Sequence, residues 1–189
     1  MCEQLSSTEK DLLLKIAREA LEIGVDGGLL EPINLNKLPI SLQEEGVTFV
    51  TLTSGGNLRG CIGALEATRP LAVDVQHHAV AAALSDYRFS PVSQDEVEEI
   101  IIEISYLTSP TPLLYEDPSD LVNKLRPGVD GVVIRDGMRR ATFLPQVWDK
   151  IPETETFLNM LCQKMGSKPE LWKQNRIEVF TYQVEKFSE

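Results

Sequence analysis

Positive charge is scarce in this chain. Lys and Arg number 18 against 29 Asp and Glu, a formal net charge of −11, and so acidic a molecule repels phosphate backbones and anionic lipid at long range. Binding to nucleic acid or to a membrane surface is not expected, although a small basic pocket stays open as an option. Long hydrophobic runs are missing as well. The longest, such as Ala79 to Leu84 and Ile100 to Ile102, fall far short of the roughly 20 residues that cross a bilayer as a helix. The opening segment MCEQLSSTEKD lacks the basic and then apolar order of a secretory leader, so the expected location is the cytoplasm. Cysteine is rare and unpaired in its spacing: Cys2, Cys61 and Cys162 suggest neither a disulfide framework nor a zinc site.

What the chain does have is enough length for a core. Its 189 residues, 42% hydrophobic and 25% charged, suit one large domain or two small ones without metal or disulfide staples. SSTEKDLLLKIAREALEIG reads as a helix, with Ser6 and Glu9 as a capping box, an apolar stripe of Leu13, Ile16, Ala17, Ala20 and Leu21, and Gly24 at its end. Val25 to Glu45 reads as irregular. VTFVTLT and the following NLRGCIG read as two strands of a hairpin turning at SGGN, and a helix then starts near Thr68 and Pro70. After a loop with a short acidic turn, IIIEISYL reads as a strand buried on nearly both faces. Asp117 caps a helix that opens on Pro118, Asp136-Gly137 is a hairpin turn, a helix spans Thr154 to Met165, and RIEVFTYQVEKF is a closing strand. Hairpins with interspersed helices give an α+β fold with antiparallel sheets. The internal boundary between any two subdomains is not marked by a repeat or a linker.

NLRGCIG carries the chemistry. In an extended strand Leu58, Gly60 and Ile62 share one face, directed to the core, and Arg59, Cys61 and Gly63 share the other. A guanidinium beside a thiol favours the reactive thiolate, and Gly60 and Gly63 allow a ligand or another chain segment close to the backbone. The competing reading makes Cys61 a small buried hydrophobe and the glycines relief for crowding. Asp86 and Arg88, flanking Tyr87, either bind an anionic group or form an ion pair that closes a helix. Glu103, the one charge in its strand, needs a partner, and Arg59 is one candidate. His77 and His78 diverge by about 100° on a helix, and Asp74 with His78 supplies only two ligands, so no metal site is expected. GVDGVVI and RDGMRR lack the context of a nucleotide-binding loop. No cofactor is called for.

LRGCIG followed by a helix, then SDYRF with Pro91, IEISYLTSP, GVDGVVI and ATFLPQVW, resembles the AMMECR domain family, also described as protein A of the AmmeMemoRadiSam system, over nearly the whole chain. The resemblance implies an α+β fold of two subdomains with antiparallel sheets and helices, with the LRGCIG segment lining a cleft between them. It also implies company with Memo-like and radical-SAM proteins, and it implies no reaction. Two functions stay open. One is a binding or accessory component that receives a small anionic ligand or a partner protein through Arg59, Gly60, Cys61, Gly63, Asp86 and Arg88. The other is an enzyme or enzyme subunit with Cys61 as nucleophile or redox thiol and Glu103 moving a proton. No well-placed histidine base accompanies the thiol, and the first reading is preferred.

Overall fold

A computed structural model describes residues 4–189; Cys2 lies outside the described residues. In chain order the elements are α1 (Ser7–Val25), α2 (Ile40–Gln43), β1 (Val47–Ser54), β2 (Asn57–Gly63), α3 (Leu71–Leu84), β3 (Ile100–Leu107), β4 (Thr111–Pro112), α4 (Pro118–Lys124), β5 (Gly131–Asp136), β6 (Arg139–Phe143), α5 (Thr154–Lys164), α6 (Leu171–Gln174), β7 (Glu178–Tyr182) and β8 (Val184–Ser188). The strands form two four-stranded sheets, ordered β2-β1-β3-β8 and β4-β7-β5-β6. The fold is α+β with antiparallel pairing.

The chain divides into two compact units, one running through Leu107 and regaining Glu185–Glu189, the other Thr108–Val184. In the first, one face of the sheet is apolar by alternation. Val50 and Leu52 of β1 and Ile100, Ile102 and Ile104 of β3 pack with Leu13, Ala17, Ala20 and Leu21 of α1 and with Leu71, Ala72, Val75, Ala79, Ala82 and Ala83 of α3. Full burial of each large aliphatic side chain stabilises by about 1.5–3 kcal/mol before entropy is set against it. In the second unit, Val132, Ile134, Ala141 and Val179 meet Phe157, Leu158, Leu161 and Cys162 of α5. Trp148, buried in this core, stacks on Phe157 with ring centroids 3.6 Å apart.

Several local readings hold. Ser6 and Glu9 form both halves of the capping box, Asp117 caps α4 through the amide of Asp120, and Gly137 turns the β5–β6 hairpin at φ +58°. Others are corrected. The α3 cap is Pro70, not Thr68, and α1 continues to Val25 before Gly27 takes φ +76°. RIEVFTYQVEKF is not one strand. It breaks at Gln183, whose carbonyl and amide bond the amide and hydroxyl of Thr108, so that β7 and β8 join different sheets. IIIEISYL buries Ile100, Ile102 and Ile104 on one face and Ser105 and Leu107 on the other, so the expected two-sided burial fails only in the first half of the second face, where Ile101 is exposed and Glu103 half-exposed.

Leu58 also departs from expectation: it is 44% exposed. The cause is a β-bulge. Leu52 pairs with Gly60 but Thr53 pairs with Leu58, leaving Arg59 as the extra residue and moving Leu58 off the core face. Beyond the bulge, Gly60 and Ile62 keep the expected side. Gly60 is buried, and a Cβ there would run into the carbonyl oxygen of Ala82 in α3. The glycine is what lets helix and strand backbones touch.

Gly60→Ala should therefore destabilise the protein by about 1–3 kcal/mol, the usual range for overpacking with backbone displacement. Urea denaturation measures it; a loss under about 0.5 kcal/mol would mean that α3 does not approach β2 so closely.

Candidate functional site

The LRGCIG segment occupies the outer strand of its sheet, and two loops of the same unit fold onto it. The first begins where α3 ends. Ser85 closes the helix, and Asp86, buried, accepts the amide of Cys61 at 2.9 Å with Oδ2. Arg88 grips that carboxylate from the other side, Nε to Oδ1 at 2.9 Å and Nη2 to Oδ2 at 2.6 Å, while its own amide bonds Oδ1 at 3.2 Å. The same Nη2 donates to the carbonyl of Cys61 at 3.2 Å. Both backbone groups of Cys61 are thus held by one Asp–Arg pair. The guanidinium's hydrogen bonds keep the Asp86 carboxyl far below the usual carboxylate range, against the opposing effect of burial.

Arg59 fastens the second loop. Its Nε and Nη2 meet the Oε1 and Oε2 of Glu96 at 2.7 and 3.0 Å, Nη1 donates to Ser90 O at 2.8 Å, and Nη2 to Pro91 O at 3.3 Å. Such a fork is the geometry that Arg supplies and Lys does not. Glu96 in turn accepts the amide and hydroxyl of Ser93, both at 2.9 Å. Held first by Arg59, its carboxyl is pushed down to about 2 from an ordinary 4.5. Glu103, for which Arg59 is one candidate partner on sequence grounds, instead faces Lys186, with Oε1 and Nζ 3.7 Å apart.

Cys61 itself is half-buried, and its Sγ accepts the Thr51 hydroxyl at 3.3 Å. Thr51 is paired with Cys61 on one side and with Glu103 on the other. Cys61, Thr51, Glu103 and Lys186 therefore form one polar row across the sheet face away from α1 and α3. Gly63 sits beside Phe49, whose ring a Cβ would strike. The histidines lie elsewhere. Asp74 and His78 are buried against Thr48, with Thr48 N and Oγ1 donating to Asp74 Oδ2 at 2.9 and 2.7 Å and His78 Nδ1 3.2 Å from that oxygen. Among the described residues no group of three His, Cys, Asp or Glu is placed to hold a metal, and no helix is long and apolar enough to cross a membrane.

Sequence reasoning brought Arg59, Cys61, Asp86 and Arg88 into one neighbourhood but missed what joins them. Glu96 and Thr51 were not singled out. Ser93 and Glu96 have the S-x-x-E spacing of a capping box, a signal that was legible. The contact of Asp86 with Cys61, 25 residues away in sequence, had no local signal.

Two antiparallel sheets, an outer LRGCIG strand and a D-Y-R loop clamped to it define the class of domain. The AMMECR1 family model matches residues 14–187, and the chain belongs to that family. A protein of Methanothermobacter thermautotrophicus is 38% identical, over 98% of this chain and 96% of that protein. One from Thermofilum pendens is 35% identical over 98% and 92%. Among solved structures, the uncharacterised protein PH0010 from Pyrococcus horikoshii superposes with a TM-score of 0.74 at 30% identity, covering 98% of this chain and 93% of that one.

The Glu96 contact has a defined pH signature. Its carboxyl is depressed in the folded state, so its stabilisation is complete above about 4.5 and is lost as pH falls through about 2. Glu96→Gln should be less stable than the parent at pH 7, and the gap should close as pH approaches 2. Denaturant titrations at stepped pH measure the gap; one that stays constant would show that the pair is not ionic.

Proposed function

We propose that the chain is a binding component whose contact centre is the Asp86-Tyr87-Arg88 loop beside Cys61, and that its ligand is a partner protein. One observation carries this reading: Tyr87 is 95% exposed although its neighbours on both sides are locked onto β2. An aromatic side chain held out on an anchored loop loses little conformational freedom on binding, and Tyr and Arg are the residue types that dominate binding energy at protein interfaces. Arg88 adds a donor. Its Nε and Nη2 are engaged, and Nη1 makes no hydrogen bond among the described residues.

A small free anion is the weaker ligand. Arg59 is neutralised by Glu96 and Arg88 by Asp86, so no uncompensated positive charge is offered by either in a chain of net charge −11. The family resemblance supplies the partners to try first, Memo-like and radical-SAM proteins. A second reading, with Cys61 as nucleophile or redox thiol and Glu103 as proton carrier, draws on the Thr51 hydroxyl that bonds the sulfur and stands between the two residues.

Purified Memo-like and radical-SAM proteins from the same genome should be titrated calorimetrically into the parent, Tyr87→Ala and Cys61→Ala. The binding reading expects one of them to bind, Tyr87→Ala to weaken it by about 30-fold, the size of a strong interface contact, and Cys61→Ala to leave it within about threefold. Equal binding by Tyr87→Ala, or no binding by the parent, rejects the loop as contact centre. Loss confined to Cys61→Ala transfers the role to the thiol.

A further inference from the structure

The Asp86–Arg88 pair has the form of something the sheet lacks. β2 ends the order β2-β1-β3-β8, so one side of it has no strand partner. Beyond the bulge its even-numbered residues, Gly60 and Ile62, turn their backbone groups toward β1, a phase that the bond from Ala64 N to Thr48 O at 3.3 Å continues. By the alternation of antiparallel pairing, Cys61 and Gly63 turn theirs outward. At Cys61 the outward amide finds an oxygen of Asp86 and the outward carbonyl finds an N–H of Arg88. An acceptor for the amide and a donor for the carbonyl of one residue are what a neighbouring strand would present.

An edge strand needs protection against pairing with other edges, commonly by lysine, proline or an inward charge. From Asn57 to Gly63 there is no Lys and no Pro, and the one charge, Arg59, is folded onto Glu96. Gly60 and Gly63 carry no side chain that would obstruct an incoming strand. The bulge at Arg59 twists one end of the edge, but the middle of the strand is covered by the Asp–Arg pair.

We infer that Asp86 and Arg88 serve as a surrogate fifth strand that keeps the β2 edge from pairing with the β2 edge of a second copy of this chain. The inference is independent of any partner at Tyr87. Without the pair, two outward edges with small side chains would meet antiparallel and exchange hydrogen bonds through Cys61. The occupant against which the device works is a second copy because an edge is self-complementary about a two-fold axis.

Asp86→Ala, Asp86→Asn and Arg88→Gln should be compared with the parent by sedimentation velocity over a wide concentration range, and by hydrogen exchange in peptides containing Cys61. Asp86→Ala is expected to speed exchange at Cys61 by at least about tenfold, with α1 and β3 still protected, and to shift the protein toward larger species as concentration rises. Asp86→Asn, which retains an acceptor oxygen, should lie between Asp86→Ala and the parent. Arg88→Gln leaves the Asp86 acceptor in place and keeps the test open where Asp86→Ala does not fold; it should associate more than the parent. Faster exchange in these variants without added association would make the pair a strap only and overturn the inference. So would association without any change at Cys61, since the edge would not be the surface involved.

Discussion

Helix α3 touches β2 at Gly60, where the Ala82 carbonyl occupies the space of a side chain, and the arrangement of the candidate site descends from that contact. Because the helix lies directly on the strand, its end at Ser85 delivers Asp86 to the outer edge of the same strand one residue further on, at Cys61. A longer side chain at position 60 would lift the helix and carry Asp86 with it. The loop then returns, with Val92 N bonding Ala83 O at 2.9 Å, and brings Glu96 within reach of Arg59. Glycine here is a packing residue first; its effect on the site is transmitted through backbone position.

The two arginines of the motif region are consequently parts of the scaffold as well as candidates for contact. Each meets a carboxylate with two nitrogens and at least one carbonyl besides. Charge-assisted bonds of this kind fix loops whose own backbone bonding is sparse. They also cancel the local positive charge, so attraction of a distant anion is not what this surface does well. What remains available is a set of positioned groups: an exposed phenol, one edge of a guanidinium, and a half-buried thiol.

Much of the fold was legible because it rests on local rules. Capping at Ser6 and Asp117, the Asp136-Gly137 turn and the apolar stripe of α1 each depend on residues within a few positions of one another. Failures came where a distant contact decides. Leu58 was placed in the core by strict alternation, and a one-residue bulge at Arg59 reversed it. The closing segment had strand character throughout, and only the pairing of Gln183 with Thr108 divides it between two sheets. The site fared likewise: the residue types drew attention to Arg59, Cys61, Asp86 and Arg88, but their partners are set by tertiary approach.

Glu103 illustrates why residue type alone misleads about chemistry. A lone acid in an apolar run suggests a buried charge in need of a cation, with proton transfer as the alternative use. In the fold the run is open at Ile101 and Glu103, the carboxylate is half-exposed, and Lys186 lies within ion-pair distance. Exposure removes the desolvation that would have made the charge costly. The thiol of Cys61 lacks a histidine partner for a different reason. The four-residue spacing of Asp74 and His78 sets both on the face of α3 that meets Thr48, so the His78 Nδ1 is engaged within the core network. Around Cys61 the charged groups are thus either exposed, as Glu103 is, or already paired, as Asp86 and Glu96 are with Arg88 and Arg59, so that what they stabilise is the shape of this surface.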